Sequence, residues 1–365
     1  MAVSTIDPNG LNVGQFGNRN MVINGSMAVA QRGTSFTSQT GSGYFIDRFR
    51  VVQTDDATWT YSQEADAPEG FANSFKALVT TVDGSNDASD SQFIRHSLEG
   101  QDLQHLKKGT ADAQSLTLSF WVKCSGTGTF IAELNDPDNN RTISKAYTIN
   151  AAGTWEYKTV TFEGDTTGTL DNDNAESLRV HWWYGAGSDY TSGTLATSWQ
   201  SRTNANRAVG SSVNIPTTSG GYFQITGVQL EVGDTATPFE HRSYGDELAR
   251  CQRYYYRLAG VTAGNSGDGA VGTVACWDSD SAFGTIYYPQ YMRAAPSMSY
   301  GANLSDFKIF RAGNQYTPTS ISTTGRCVDR AGVLFQNTGN IVAGQAAWVR
   351  IVDASNGYLA FDAEL

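Results

Sequence analysis

The chain has 365 residues, of which 39% are hydrophobic and 12% aromatic, enough to build more than one apolar core. Only 17% of the residues are charged while 38 are glycine, a composition that favours short strands and turns over long solvated helices. The formal net charge of −11 gives a surface that repels phosphate backbones, so the composition argues against a nucleic-acid partner.

Membrane insertion and zinc binding are also disfavoured. No apolar run approaches the ~20 residues that a membrane-spanning helix needs, and the first residues lack the basic and apolar regions of a cleaved signal. The four cysteines form no CxxC pair, and no histidine lies near one at metal-ligand spacing. We therefore expect buried free thiols, with a disulfide between Cys276 and Cys327 as the alternative. We expect no cofactor, with structural calcium as the one metal left open.

The first 17 residues differ from the rest of the chain. They are polar and rich in Gly and Asn, with a turn signal at Pro8–Gly10, and they predict a short extended arm. Such an arm could dock to a larger particle, so we expect residues 1–17 to form an N-terminal attachment segment.

Residues 18–242 carry strand signals at regular spacing, each alternating or rich in aromatic residues and bounded by Gly, Asn or Asp. They are Thr58–Tyr61, Leu116–Val122, Thr129–Leu134, Trp155–Phe162, Leu178–Tyr184 and Tyr222–Val232. This pattern is typical of a β-sandwich. Trp182 and Tyr184 point to one face of their strand and Trp183 to the other, so at least one ring lies outside the core unless both faces are covered.

A single helix is predicted after the last of these strands. Pro238 takes the chain out of the sheet, and Ser243 followed by Asp246 resembles a weak capping box, so residues 243–257 form a connector with a helix near 244–256. Leu248, Cys251 and Tyr255 then lie on one face of the helix. About three turns of helix are marginal alone, so this apolar stripe needs a partner: the local sheet, or the same stripe on symmetry-related chains.

Residues 258–365 predict a second, smaller β-sandwich of short antiparallel strands. The strand signals are Val271–Ala275, Ala282–Tyr288, Phe307–Phe310, Gly332–Phe335, Trp348–Val352 and Tyr358–Phe361. The predicted fold class is therefore all-β: one large sandwich, a short helix and a second sandwich.

Several segments resemble those of bacteriophage tail-fibre and other virion-surface fibre proteins. Gly227–Arg257, which joins the last strand to the helix, closely resembles a segment that recurs in these proteins. Asn18–Met27, Gln31–Gly33 and Tyr44–Phe49 resemble the start of the jelly-roll domain in phage fibres, and Ser119–Lys123 with Tyr147–Phe162 resembles the central strands of a carbohydrate-binding-module-like jelly roll. The resemblance covers about residues 18–257.

The resemblance implies a location and partners. Fibres of this kind assemble as homotrimers, which would place Leu248, Cys251 and Tyr255 near a threefold axis. It also implies a virion protein, assembled in the host cytoplasm, that attaches to other virion structural proteins through its N-terminal end. The distal domain would bind bacterial surface polysaccharide or lipopolysaccharide.

Motifs for catalysis are absent from the sequence. There is no Gly-x-Ser-x-Gly elbow, no His-Glu-x-x-His and no Walker sequence, and Asp278 and Asp280 are interpreted as turn residues. The acidic loop with Asp83, Asp87 and Asp90, like Asn135–Asn139, offers hard oxygen ligands for Ca²⁺, although neither fits the EF-hand pattern. A solvated turn is the alternative at both places.

Aromatic residues are the candidates for recognition, because sugars stack their C–H faces on Trp and Tyr. In the distal unit we predict Trp277, Tyr287, Tyr288 and Tyr291 as glycan contacts, with a place in the core as the alternative for each. Three functions remain open: a phage tail fibre that binds host glycan without cleaving it, a capsid fibre or decoration protein for weak adhesion, and a polysaccharide depolymerase.

Overall fold

A computed structural model describes residues 18–259, 269–301, 303–353 and 356–365. The predicted arm at residues 1–17 lies outside the described residues. The chain divides into two compact units: the first ends at Glu247 and includes Leu365, and the second is Leu248–Glu364. The described residues form antiparallel strands with two α-helices, α1 (Ser188–Thr191) and α2 (Tyr244–Gln252), so the all-β prediction is confirmed.

The first unit is a jelly-roll sandwich of two antiparallel sheets. Its strands are β1 (Ser35–Gln39), β2 (Gly43–Ile46), β3 (Phe49–Gln53), β4 (Thr58–Glu64), β5 (Ser74–Thr81), β6 (Ser91–Glu99), β7 (Leu116–Cys124), β8 (Gly128–Asp136), β9 (Arg141–Ile149), β10 (Glu156–Phe162), β11 (Glu176–Ala186), β12 (Gln200–Ser201) and β13 (Tyr222–Val232). One sheet has the order β1-β4-β5-β13-β7-β10 and the other β12-β9-β8-β11-β6-β3-β2.

Both faces of β11 are covered, so none of its three adjacent aromatic rings needs to be exposed to solvent. Trp182 and Tyr184 belong to the main core between the sheets. Trp183 points to the other side, where it forms a second cluster with Phe93 and Ile131 and is capped by residues of the segment that follows β11, including Tyr190. All three aromatic side chains are therefore fully buried.

A buried polar cluster lies beside Trp183. The Glu133 carboxylate, which has no exposed surface, accepts two hydrogen bonds from Arg207 at 2.9 and 3.1 Å, together with bonds from Trp183 Nε1, Thr142 Oγ1 and His181. Burial raises the pKa of Glu133, but the charge of Arg207 and these hydrogen bonds outweigh it and hold the pKa well below its usual range. Glu133 is therefore ionised at neutral pH.

His181 is neutral in this cluster and should make the fold sensitive to acid. Burial lowers the pKa of His181 to about 4 from 6.5, more than the charge of Glu133 raises it. Below pH 6.5 the unfolded chain takes up a proton that the folded chain does not accept until about pH 4, so stability falls as the pH drops through this window.

We expect the free energy of unfolding to fall by about 2 kcal/mol between pH 6.5 and 5, because His181 takes up a proton only in the unfolded chain. The measurement is urea unfolding at both pH values for the wild type and for His181→Asn, which keeps a donor for Glu133. Asp55 has the opposite effect: burial raises its pKa to about 6, so its contribution to stability increases as the pH falls. The test is therefore the difference in pH dependence between the wild type and His181→Asn. Equal pH slopes would contradict the prediction.

A second buried ion cluster holds two loops of the same unit together. Lys108 Nζ contacts Asp136 Oδ2 at 2.5 Å and Asp165 Oδ2 at 3.1 Å, and donates to the carbonyl oxygens of Thr167 and Gly168 at 3.1 and 2.9 Å. The Lys108 side chain is only 5% exposed. The ammonium group thus lies among four oxygens, two of them from carboxylates.

Helix α2 begins as predicted but ends earlier. The Ser243 hydroxyl accepts a hydrogen bond from Asp246 N (3.2 Å) and donates to Asp246 Oδ2 (2.6 Å), which fixes the first turn. The helix stops at Gln252 rather than near residue 256, because Tyr255–Ala259 form strand β14 and pair with a strand at the end of the chain.

This change of structure corrects the predicted trimer seam. Tyr255 is in a strand and not on the helix, and both Tyr255 and Cys251 are buried within a single chain. They therefore present little surface to a neighbouring copy. Leu248 is half-buried and keeps some accessible surface. Trimerisation itself stays a prediction.

The second unit also contains two antiparallel sheets, as predicted. Its strands are β14 (Tyr255–Ala259), β15 (Gly269–Cys276), β16 (Ser281–Tyr287), β17 (Ser297–Tyr300), β18 (Phe307–Arg311), β19 (Asn314–Tyr316), β20 (Ser320–Arg326), β21 (Arg330–Gln336), β22 (Ala346–Ile351) and β23 (Tyr358–Asp362). The small sheet has the order β14-β23-β17, and the seven-stranded sheet has the order β19-β18-β22-β15-β16-β21-β20. Ile309, Val333 and Val349 on the large sheet share one core with Leu359 and Phe361 of the small sheet.

Among the described residues, neither helix has the length and apolar composition required to cross a bilayer.

Candidate functional site

The outward face of the seven-stranded sheet carries a group of exposed aromatic side chains. Alternation along each strand sends one set of residues into the core and the other outward. Trp348 lies directly opposite Phe310 on β18, and Phe283 lies opposite Ala275 on β15. We call Phe283, Tyr287, Phe310 and Trp348, together with Trp277 directly after β15, the aromatic face.

Two of the four predicted glycan contacts lie on this face. Trp277 is 79% exposed and Tyr287 is 67% exposed, both far more than a core aromatic residue. Tyr291 is also exposed (70%), but it lies in the loop between β16 and β17 and not on the sheet. Tyr288 is wrong as a contact: it is 8% exposed, because it points inward and its ring packs against Phe361 at 4.9 Å.

Sequence reasoning missed three members of the aromatic face. Trp348 is 62% exposed, and Phe283 and Phe310 are partly exposed. The signal was present in the strand period, because Trp348 stands between the core residues Ala347 and Val349 and must therefore point outward. The same argument applies to Phe283, which follows the buried Ala282.

Two shallow depressions lie side by side on the face. The first has a volume of about 470 Å³ and is lined by Thr273, Ala275, Phe283, Thr285, Gln345 and Ala346, among others. The second, about 250 Å³, is lined by Phe310, Arg311, Ala346 and Trp348, among others. Ala346 borders both, and the Arg311 guanidinium donates to Gln345 Oε1 across them at 2.6 Å. Aromatic walls thus alternate with hydroxyl and amide groups.

The position of the Phe283 ring depends on a glycine in the next strand. Thr285 pairs with Gly332, and a Cβ atom at Gly332 would lie 3.0 Å from two carbon atoms of the Phe283 ring. The missing side chain lets the ring lie over β21 instead of standing away from the sheet. Gly332 therefore helps to make the wall of the larger depression flat.

The charges on the seven-stranded sheet have one sign. Its strands contain no Asp or Glu, and the basic residues they carry are Lys308, Arg311, Arg326, Arg330 and Arg350. The acidic residues near it are in turns. The backbone N–H of Asp280 donates to Asp278 Oδ1 at 2.8 Å and lowers the pKa of that carboxyl, so Asp278 is an ionised turn residue, as expected.

The proposed calcium ligands lie in the loop between β5 and β6 and accept hydrogen bonds from other residues of that loop. Asp83 accepts from Ser85 N, Asp87 accepts from the Ser85 hydroxyl, and Asp90 accepts from Asp87 N. Burial, together with the nearby carboxylates of Asp83 and Asp87, raises the pKa of Asp90. Across residues 18–259, 269–301, 303–353 and 356–365, no three His, Cys, Asp or Glu side chains are grouped so as to hold a metal ion.

The second calcium candidate, Asn135–Asn139, has a different role. Asp136 from this segment binds Lys108 and also accepts hydrogen bonds from Asn139, both from its backbone N–H and from its side chain. The Asp136 carboxylate, which the sequence suggested as a calcium ligand, is thus paired with the Lys108 ammonium group.

Comparisons with known proteins give structural likenesses only. No protein-family model and no curated protein sequence matches the chain. Among solved structures, the enzymatically active domain of tailspike protein 4 from bacteriophage CBA120 is 15% identical with a TM-score of 0.33, over 59% of this chain and 22% of that one. The match therefore spans about a fifth of the tailspike chain.

Carbohydrate-binding modules are similar at a comparable level. A family 11 module from Clostridium thermocellum, solved with a β-1,3-1,4-mixed-linked tetrasaccharide, is 12% identical with a TM-score of 0.28, over 57% of this chain and 98% of the module. An N-terminal cellulose-binding domain from Cellulomonas fimi is 11% identical with a TM-score of 0.28, over 56% and 97%. At these TM-scores the likenesses carry no conclusion about what this chain binds.

Proposed function

We propose that this protein binds a glycan of the bacterial surface through the aromatic face, without cleaving it. The observation that carries the proposal is the set of exposed rings on one side of a regular sheet, with Trp348 62% and Tyr287 67% exposed. Isolated exposed apolar residues are ordinary, whereas a group of them on one face marks a binding surface.

The chemistry of the face suits a sugar chain. The C–H faces of pyranose rings stack on aromatic rings such as Trp348 and Phe283, while sugar hydroxyls exchange hydrogen bonds with groups such as Thr273, Thr285 and Gln345. A shallow, open surface lets a long polymer lie across the strands. Catalysis would need a carboxylate pair or an activated nucleophile, and the strands of this sheet supply no carboxylate.

We further propose that the protein is a phage tail fibre that mediates adsorption to the host. Support comes from the resemblance of Gly227–Arg257 and of the jelly-roll strands to phage fibre proteins. In this proposal residues 1–17 attach the chain to the virion and three copies act together. Three linked sites raise the overall affinity through effective concentration, so modest contacts at each face suffice.

Trp348→Ala in the full-length chain should weaken adsorption to host cells by about 10- to 100-fold, the loss expected for one stacked aromatic ring. The matched control is Tyr157→Ala, which removes an exposed ring (43%) from the first unit. Binding of purified protein to host cells, measured with increasing protein concentration, gives both values. Loss with Tyr157→Ala but not with Trp348→Ala would move recognition to the first unit.

Two further measurements separate the alternatives. Incubation with host capsular polysaccharide should produce no new reducing ends, whereas their appearance would indicate a depolymerase. Antibody labelling of intact particles in the electron microscope should place the protein on the tail. Labelling of the capsid would favour a decoration protein that uses the same face for weak adhesion.

A further inference from the structure

We infer that the glycan bound by the aromatic face is anionic, carrying carboxylate or phosphate groups that Lys308 and Arg350 recognise. This inference rests on the proposed function and adds the chemical class of the ligand. It is carried by the register of two neighbouring strands, which brings cations and aromatic rings together on one side of the sheet.

The relevant residues form a square on β18 and β22. Lys308 lies directly opposite Arg350, and Phe310 lies directly opposite Trp348. Residues two apart on a strand are separated by about 6.5–7 Å and face the same side, and opposite residues have Cβ atoms about 5 Å apart. A pair of cations therefore adjoins a pair of rings on the same side of the sheet.

The two cations differ in what they add. The Arg350 guanidinium lies over the Phe310 ring, with its central carbon 4.6 Å from the ring centroid, so its plane and its position are restricted. The Lys308 ammonium donates to the Thr317 hydroxyl at 2.6 Å, a neutral partner that leaves its charge in place. A planar fork beside a compact charge is a suitable pair for an oxyanion.

The sign of the charge on these strands differs from that of the whole chain. Here the chain has a net charge of −11, yet the seven strands contain five basic residues and no acidic ones. Lys308 and Arg350 point to the face that carries the exposed rings, and two cations there in a chain of net negative charge indicate complementarity to an anionic ligand.

The experiment compares charged polysaccharides with their neutralised forms. Polygalacturonate is paired with its carboxyl-reduced form, and a phosphomannan is paired with its dephosphorylated form, each titrated against the full-length protein at 0.15 M salt. We expect the charged member of at least one pair to bind about tenfold more tightly. Which pair shows the difference identifies the carboxylate or the phosphate as the anion.

Variants then locate the effect. Lys308→Gln together with Arg350→Gln should remove the preference for the charged member, weakening its binding about tenfold more than that of the neutral member. Trp348→Ala should weaken binding of both. Lys145→Gln, in the exposed ion pair with Glu163 of the first unit, removes one cation from elsewhere and should have no effect on the preference.

Each other outcome counts against the inference. Equal binding of charged and neutral members would overturn it while leaving glycan binding intact. Binding to none of the four would overturn it, and host-cell adsorption would then decide the proposed function separately. Equal loss with Lys145→Gln would reduce the effect to net charge. A change of oligomeric state in the double variant, seen by sedimentation, would assign the face to contacts between copies of the chain.

Discussion

Replacing Arg207 with methionine should destabilise the first unit by about 3–5 kcal/mol, among the largest effects that one substitution can have in this fold. Glu133 has no exposed surface, and Arg207 supplies the bidentate pair that offsets the cost of burying its charge. The guanidinium also lies 4.9 Å from the Trp183 ring centroid, so its loss removes packing as well as charge. Calorimetry should show the melting temperature of this unit lowered by about 10 °C.

A double-mutant cycle tests the cause of that loss. If the penalty comes from the unpaired carboxylate, Glu133→Gln with Arg207→Met should be less destabilising than the sum of the two single substitutions. The surface pair of Lys145 and Glu163 provides the matched control, because both side chains are partly exposed and Lys145→Met should cost less than about 1 kcal/mol. Simple additivity in the cycle would show that Glu133 and Arg207 stabilise the unit independently.

Lys108→Met should have an effect of similar size, about 3 kcal/mol or more. The substitution removes the ammonium group that lies between Asp136 and Asp165, and Asp136 has no exposed surface. Asp165 keeps its bidentate pair with Arg141 at 2.6 and 2.9 Å, whereas Asp136 loses its cation. Urea unfolding of the full-length chain measures the change.

A second substitution should restore part of this stability. Asp136→Asn in the Lys108→Met background removes the buried charge and keeps a carbonyl oxygen for Asn139, which donates to Asp136 in the wild type. We expect the double variant to be more stable than Lys108→Met alone. A loss below about 1 kcal/mol for Lys108→Met would mean that water compensates the carboxylates, and that the cluster adds little to stability.

Much of the fold could be predicted from the sequence because its signals are local. Val228 and Leu230 alternate with the polar Gln229, and this pattern predicts strand β13. Ser243 and Asp246 in turn predict the start of α2. The end of α2 could not be found in this way. Tyr255 belongs to a strand because it pairs with Asp362, a partner more than one hundred residues away.

The residues predicted as glycan contacts include only part of the aromatic face, and the error at Tyr288 comes from the phase of one strand. Tyr287 and Tyr288 are adjacent, so one must face outward and the other inward, and the two residues alone do not say which. The buried Ala282 and Ile286 fix the phase and place Tyr287 outside. The buried ion pairs left no local signal either, since Arg207 and Glu133 are 74 positions apart.

Along each strand of the seven-stranded sheet, residues that point inward form the core and residues that point outward form the exposed face, so the two sets can change independently in evolution. Val349 and Ala347 hold the core together, while their neighbour Trp348 makes no contribution to that core and faces outward. Exchanges at such outward positions usually change stability by no more than about 0.5 kcal/mol. A lineage can therefore vary the outward residues one at a time, and so change the chemistry of this surface, on a scaffold whose interior stays constant.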